Sequence, residues 1–96
     1  MDEIARLQRW YLRHCDGDWE HGAGISISTL DNPGWSVSVN LDGTELDGKA
    51  FDEINIDITE TDWVRIWVKE SKFEGACGPE QLTAILLSFL TWAEEP

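Results

Sequence analysis

Four stretches, residues 24–30, 35–41, 52–58 and 62–69, alternate apolar and polar side chains with a period of two. That pattern is the mark of strands with one buried face, and it commits the chain to a sheet that something else must cover. The first two stretches flank Asp31-Asn32-Pro33-Gly34, a strong turn signal. Opposed residues in an antiparallel pair share a face. Setting Leu30 against Trp35 would place Ile27 opposite Ser38. Setting Thr29 against Val37 places Ile27 opposite Val39 and Ile25 opposite Leu41, so the second register, with an odd loop, is expected. The latter two stretches read as a second hairpin through Thr59–Thr61. Ile54, Ile56 and Ile58 share one face with Val64, Ile66 and Val68 and are expected in the core.

The cover comes from the two ends. Residues 2–14 carry Ile4, Leu7, Trp10 and Tyr11 at helical spacing, with Asp2 and Glu3 at the dipole's positive end. Arg6, Arg9 and Arg13 form a second, solvated stripe that can pair with acids elsewhere. Pro79 suits the first position of a second helix, followed by Glu80 and Gln81. Its stripe of Leu82, Ile85, Leu86, Phe89 and Ala93 is widened by Leu87, Leu90 and Trp92 until it is apolar almost all round. Such a helix is buried on more than one side or meets another chain, which raises a homodimer through it. Residues 70–78, with Phe73, Gly75 and Gly78, read as a loop. The expected architecture is one α+β domain over residues 1–96: a four-stranded antiparallel meander with the N-terminal and C-terminal helices on one face.

The formal charge is −12, from 19 acids against 7 bases. Residues 1–14 balance to +1, so the remainder carries −13. A surface of that sign repels nucleic acid and anionic membranes and attracts basic partners; acidity of this kind also serves solubility alone. Cys15 and Cys77 are too few for a disulfide framework. The opening residues are charged and helical rather than signal-like, and no apolar run approaches a membrane span, so a cytoplasmic protein with reduced thiols is expected.

Cys15-Asp16-Gly17-Asp18-Trp19-Glu20-His21 is the densest concentration of chemistry in the chain. It is rich in metal-ligand types, with Cys15, Asp18 and His21 as the candidate set. Yet it matches neither zinc spacings nor an EF-hand loop. Asp16 and Asp18 could form an acid/base pair, but no nucleophile or oxyanion site accompanies them. A structural corner explains the stretch as well: an Asp caps the turn, Trp19 plugs the sheet edge, and His21 or Glu20 pairs with an arginine of the first helix.

The chain resembles the immunity protein 53 family of bacterial polymorphic toxin systems. The resemblance rests on Leu7-Gln8-x-Trp10-Tyr11, on the Cys15–His21 stretch, and on Leu30-Asp31-Asn32-Pro33-Gly34-Trp35. Leu41-x-Gly43-Thr44, Asp62-Trp63 and the closing Leu82, Phe89 and Trp92 fit as well. It implies a cytoplasmic protein, encoded beside a toxin, that binds and neutralises it; no catalytic residues carry over from the family, and no cofactor is expected. A binding role also suits the residues themselves, since six tryptophans are a heavy load for 96 residues and spare indoles serve as contact anchors. Trp63, Arg65 and Trp67 on one sheet face, Trp35, and the corner acids Asp16, Asp18 and Glu20 are the candidate contacts. Their partner would be a toxin domain with a basic active-site surface, such as a nuclease. The competing readings are a small metal-binding protein or enzyme built on the corner, and an oligomeric scaffold subunit.

Overall fold

A computed structural model describes residues 2–95. Helix α1 runs Glu3–His14. Its N-terminus is capped by Asp2, whose carboxylate accepts the Ile4 N–H at 3.0 Å. Five strands follow: β1 (Ile25–Leu30), β2 (Gly34–Asn40), β3 (Ile54–Asp57), β4 (Trp63–Lys69) and β5 (Lys72–Cys77), and helix α2 (Leu82–Glu94) ends the fold. The α+β class and the two terminal helices are as expected; the sheet is not. It has five antiparallel strands in the order β1-β2-β5-β4-β3, so it is no meander. The β1–β2 and β3–β4 hairpins are not paired with each other; β5, in the stretch read as a loop, lies between them and joins them.

Local chemistry explains the hidden strand. Phe73, Gly75 and Cys77 point to one face and Lys72, Glu74 and Ala76 to the other, a period of two in which a glycine and a cysteine stand for apolar residues. The turn into it, Glu70-Ser71, holds both residues at positive φ (54° and 62°), without the Asn-Gly that usually announces such a hairpin. Gly75 is bare because α2 comes close: a Cβ there would sit 2.7 Å from Ile85 Cγ2.

The β1–β2 register keeps the expected parity but is shifted by one pair. Ile27 faces Val37 and Ile25 faces Val39, and the loop is the odd three-residue Asp31–Pro33. Ile54 pairs with Ile66 and Ile56 with Val64, as the second hairpin required. Only part of that aliphatic face is core. Val64 and Ile66 are buried and Ile54 half-buried, but Ile56 and Ile58 are 47% and 65% exposed, because β3 is an edge strand beyond the cover of α2.

The core lies between the sheet and the helices. Phe73, Phe89 and Trp10 are almost fully enclosed, with Phe89 edge-on to both other rings. Burying one such ring contributes about 1.5–3 kcal/mol. Helix α2 rests on β4 and β5 and lies against α1, which buries Ile85, Leu86, Phe89, Leu90 and Trp92 within the chain and leaves Leu82 and Leu87 half-buried. It starts three residues later than Pro79, which instead forms the turn before it. Its C-terminal carbonyls are held by Lys49, whose Nζ donates to the Trp92 and Glu95 carbonyls at 2.6 and 2.8 Å. Arg6 of α1 pairs with Glu94 at 2.7 Å, one of the pairings its stripe offered. No helix among the described residues is long and apolar enough to cross a membrane.

Candidate partner-binding surface

The ladder pairings fix which side chains the uncovered face presents. Across β3, β4 and β5 they are Asn55, Asp57, Trp63, Arg65, Trp67, Lys69, Lys72, Glu74 and Ala76, continued on β2 and β1 by Ser36, Ser38, Ser26 and Ser28. None of these is buried. Trp63 and Trp67 are half-buried and stand on either side of exposed Arg65. The Arg65 guanidinium donates to Asp57 at a long 3.4 Å, with both side chains more than half exposed. Such a pair is worth little, so Arg65 remains available to a partner. Trp63 and Arg65 also border a shallow groove of about 290 Å³ with Asp57, Thr59, Glu60 and Asn32.

Trp35 does not join them. Its parity puts it on the helix-bearing face, half-buried against the core, with its indole N–H donated to the Pro79 carbonyl at 3.0 Å. The candidate indoles are therefore split between the two faces of the sheet.

The corner stretch closes on itself. Asp16 Oδ1 accepts the N–H groups of Asp18 and Trp19 at 3.0 and 3.1 Å, and Glu20 reaches back to the N–H groups of Asp16 and Gly17 at 2.9 and 2.8 Å. This reciprocal arrangement ties the 16–18 turn to the short 3-10 helix Trp19–His21, whose own cap residue Asp18 makes no side-chain bond. The Trp19 and Asp18 amides hold the Asp16 carboxyl below the usual carboxylate range. Trp19 is buried and donates to the Asn40 carbonyl at the end of β2, the plug expected of it. The Glu20 carboxylate is engaged by backbone N–H groups, and His21, mostly exposed, lies 4.0 Å from it. Of the three corner acids, Asp18 keeps its carboxylate exposed and outside these bonds. Asp16, Asp18, Asp42 and Asn40 border a groove of about 380 Å³.

The cation-ligand alternative finds no geometry. Cys15 turns its thiol to the Tyr11 carbonyl at 3.2 Å. Among the described residues, no group of three or more His, Cys, Asp or Glu side chains is placed to hold a metal ion.

A family model described as Immunity protein 53 matches residues 4–94, nearly the whole chain. The chain belongs to the Immunity protein 53 family. No curated protein and no solved structure matches it. Membership suggests an immunity role against a toxin, and it spans every element described above, the corner and the uncovered sheet face included.

Three surface residues of this family member escaped the reading of its sequence: Lys72, Glu74 and Ala76, all on β5. Their signal was the alternation of Phe73 and Cys77, masked by the intervening glycine. They change the character of the indole face. Strands hold only two of the nineteen acids, Asp57 and Glu74, but three of the seven bases, Arg65, Lys69 and Lys72. The acids lie mainly in the loops and the indoles on a sheet face of mixed charge.

Proposed function

We propose that residues 1–96 act as one cytoplasmic domain that neutralises a cognate toxin by binding it, turning over no substrate. The observation that carries this reading is the uncovered sheet face, where two half-buried indoles flank an exposed arginine in a member of an immunity family. Aromatic and arginine side chains are the groups that most often anchor interfaces. Asp18 and the loop acids supply long-range attraction at a net charge of −12, which favours a toxin with a basic active-site surface, such as a nuclease. Within the corner, Asp16 and Glu20 act through the loop's shape and Asp18 acts directly. Trp35 contributes by anchoring the Pro79 turn.

The test is binding to, and inhibition of, the toxin domain encoded beside this chain. Trp63→Ala with Trp67→Ala should weaken affinity by about 30-fold or more, chiefly through faster dissociation, while Trp35→Phe changes it less than threefold. Association should slow about tenfold or more between low and high ionic strength. Unchanged affinity in the double variant removes the sheet face from the interface, and a flat salt profile removes steering. Absence of inhibition at stoichiometric ratio refutes the role itself.

A further inference from the structure

The two ends of the sheet differ in a way that picks out β3. Ile58 donates its N–H to the Asp62 carbonyl, and on the far side of β4 Gly78 donates to the Trp63 carbonyl, each at 3.0 Å. Antiparallel alternation then ties the backbones of Ile54 and Ile56 to β4 and turns those of Asn55 and Asp57 outward. The outer edge of β3 is thus an open ladder. On its helix side, α2 stands back over β4 and β5 and leaves a groove of about 420 Å³. Ile54, Phe51, Leu87, Ser88, Thr91 and Trp92 border it, with the exposed Ile56 next along the strand.

We infer that the β3 edge is a docking site for an extended, cationic strand of the partner with apolar side chains at every second position. A sixth strand would lie about 4.8 Å outside β3, and its apolar side chains would continue the Ile54–Ile56 row into the groove. Charge selects the occupant. Residues 50–62 contain five acids (Asp52, Glu53, Asp57, Glu60 and Asp62) and no basic residue. Lys49 beside them is committed to the end of α2. A second copy pairing at this edge would set those acids against their own kind, whereas lysines and arginines would meet them. At the opposite edge β1 is uncharged from Gly24 to Leu30, so charge selects nothing there. That the strand belongs to a toxin rests on the proposed function; the edge, the groove and the acids do not.

The experiment uses a capped heptapeptide of alternating lysine and valine as probe, with amide chemical shifts of the full chain as the readout. Shifts should centre on residues 53–58 and on Leu87 and Thr91. Methylating the peptide's alternate backbone nitrogens should weaken binding about tenfold, and so should Asn55→Pro, which blocks the outward N–H without breaking a ladder bond. Ile56→Lys, a second variant at an exposed position, should weaken it likewise with unchanged far-UV circular dichroism. A lysine–serine heptapeptide that binds as tightly overturns the proposal, because charge alone then suffices. Shifts centred on 25–29 overturn it, as does a dimer of the free protein that Asn55→Pro dissolves, since either assigns the edge differently. With the toxin domain, Asn55→Pro should lower affinity. Full affinity there refutes strand docking and leaves the function intact, whereas a wild-type chain that does not inhibit refutes the function and leaves the peptide result standing.

Discussion

Gly75→Ala separates a central strand from a surface loop in one substitution. In a loop, replacing glycine by alanine at an ordinary backbone angle is neutral or stabilising by about 0.4–1 kcal/mol, because the unfolded chain loses freedom. Gly75 has no positive φ, so conformation alone would allow the change. Its surroundings do not. The new methyl would stand 2.7 Å from Ile85 Cγ2, 3.1 Å from Cδ1 and 3.4 Å from Cγ1. Ile85 is fully buried and cannot swing into solvent. Forcing a methyl into such a contact costs about 1–3 kcal/mol. Set against the unfolded-state gain, the net loss centres on about 1 kcal/mol and reaches at most about 2.6 kcal/mol, at about 4–8 °C in Tm per kcal/mol for a chain of this size. Urea unfolding followed by tryptophan fluorescence should show the midpoint fall with an unchanged slope. Ile85→Val removes the Cδ1 methyl, so the double variant should be less destabilised than the sum of the two single ones. A Gly75→Ala protein at least as stable as the parent would refute the close approach of α2 to β5, and with it the central position of that strand.

Other expectations follow from individual contacts. Lys49→Met removes two bonds to the last carbonyls of α2 and should cost about 1–2 kcal/mol by urea unfolding. Burial pushes the Cys77 thiol up and closes it to solvent, so a thiol reagent should modify half-buried Cys15 in the native protein and Cys77 only after denaturation. Asp16 is lowered by the Trp19 and Asp18 amides; Glu45, which burial pushes up, is lowered on balance by its hydrogen bond from His14. Carboxylates depressed in the folded state add stability above their unfolded pKa and lose it as pH falls through the folded value, so the urea midpoint should drop between about pH 5 and pH 3. Asp16→Asn with Glu45→Gln should flatten that drop.

What the sequence made legible is what local pattern dictates. Strong alternation located four strands within one or two residues, and the helical stripes located both helices. The parity of the first hairpin followed from keeping Ile25 and Ile27 with Val37 and Val39. Its exact register did not, because a shift of one pair preserves every face. Strand β5 was invisible for a tertiary reason: Gly75 is set by the proximity of Ile85, and the turn before it uses Glu70 and Ser71 where Asn-Gly would have been read. The exposure of Ile56 and Ile58 is equally non-local, since it depends on how far α2 reaches across the sheet. At the corner, residue types favoured a capped turn over a metal site but left a partner contact equally open. Only the convergence of Asp16 and Glu20 on neighbouring N–H groups distinguishes these.

The separation of charge from indoles bears on how such a surface would recognise a toxin. Acids placed in loops stay hydrated in a complex, and their field acts over roughly a Debye length, about 8 Å at physiological ionic strength. Acids spread across the contact face would instead have to be desolvated, at a cost that pairing does not always recover. A sheet face carrying Trp63, Trp67 and Arg65, with few carboxylates among them, avoids that cost. The two sets of residues should then divide the kinetics. Neutralising loop acids away from that face, such as Asp18 or Asp42, lowers the association rate and its salt dependence, with dissociation little changed. Truncating the indoles raises dissociation and leaves the salt slope alone. Indole truncation that flattens the salt slope, or loop neutralisation that acts only on dissociation, would show that attraction and anchoring reside in the same residues.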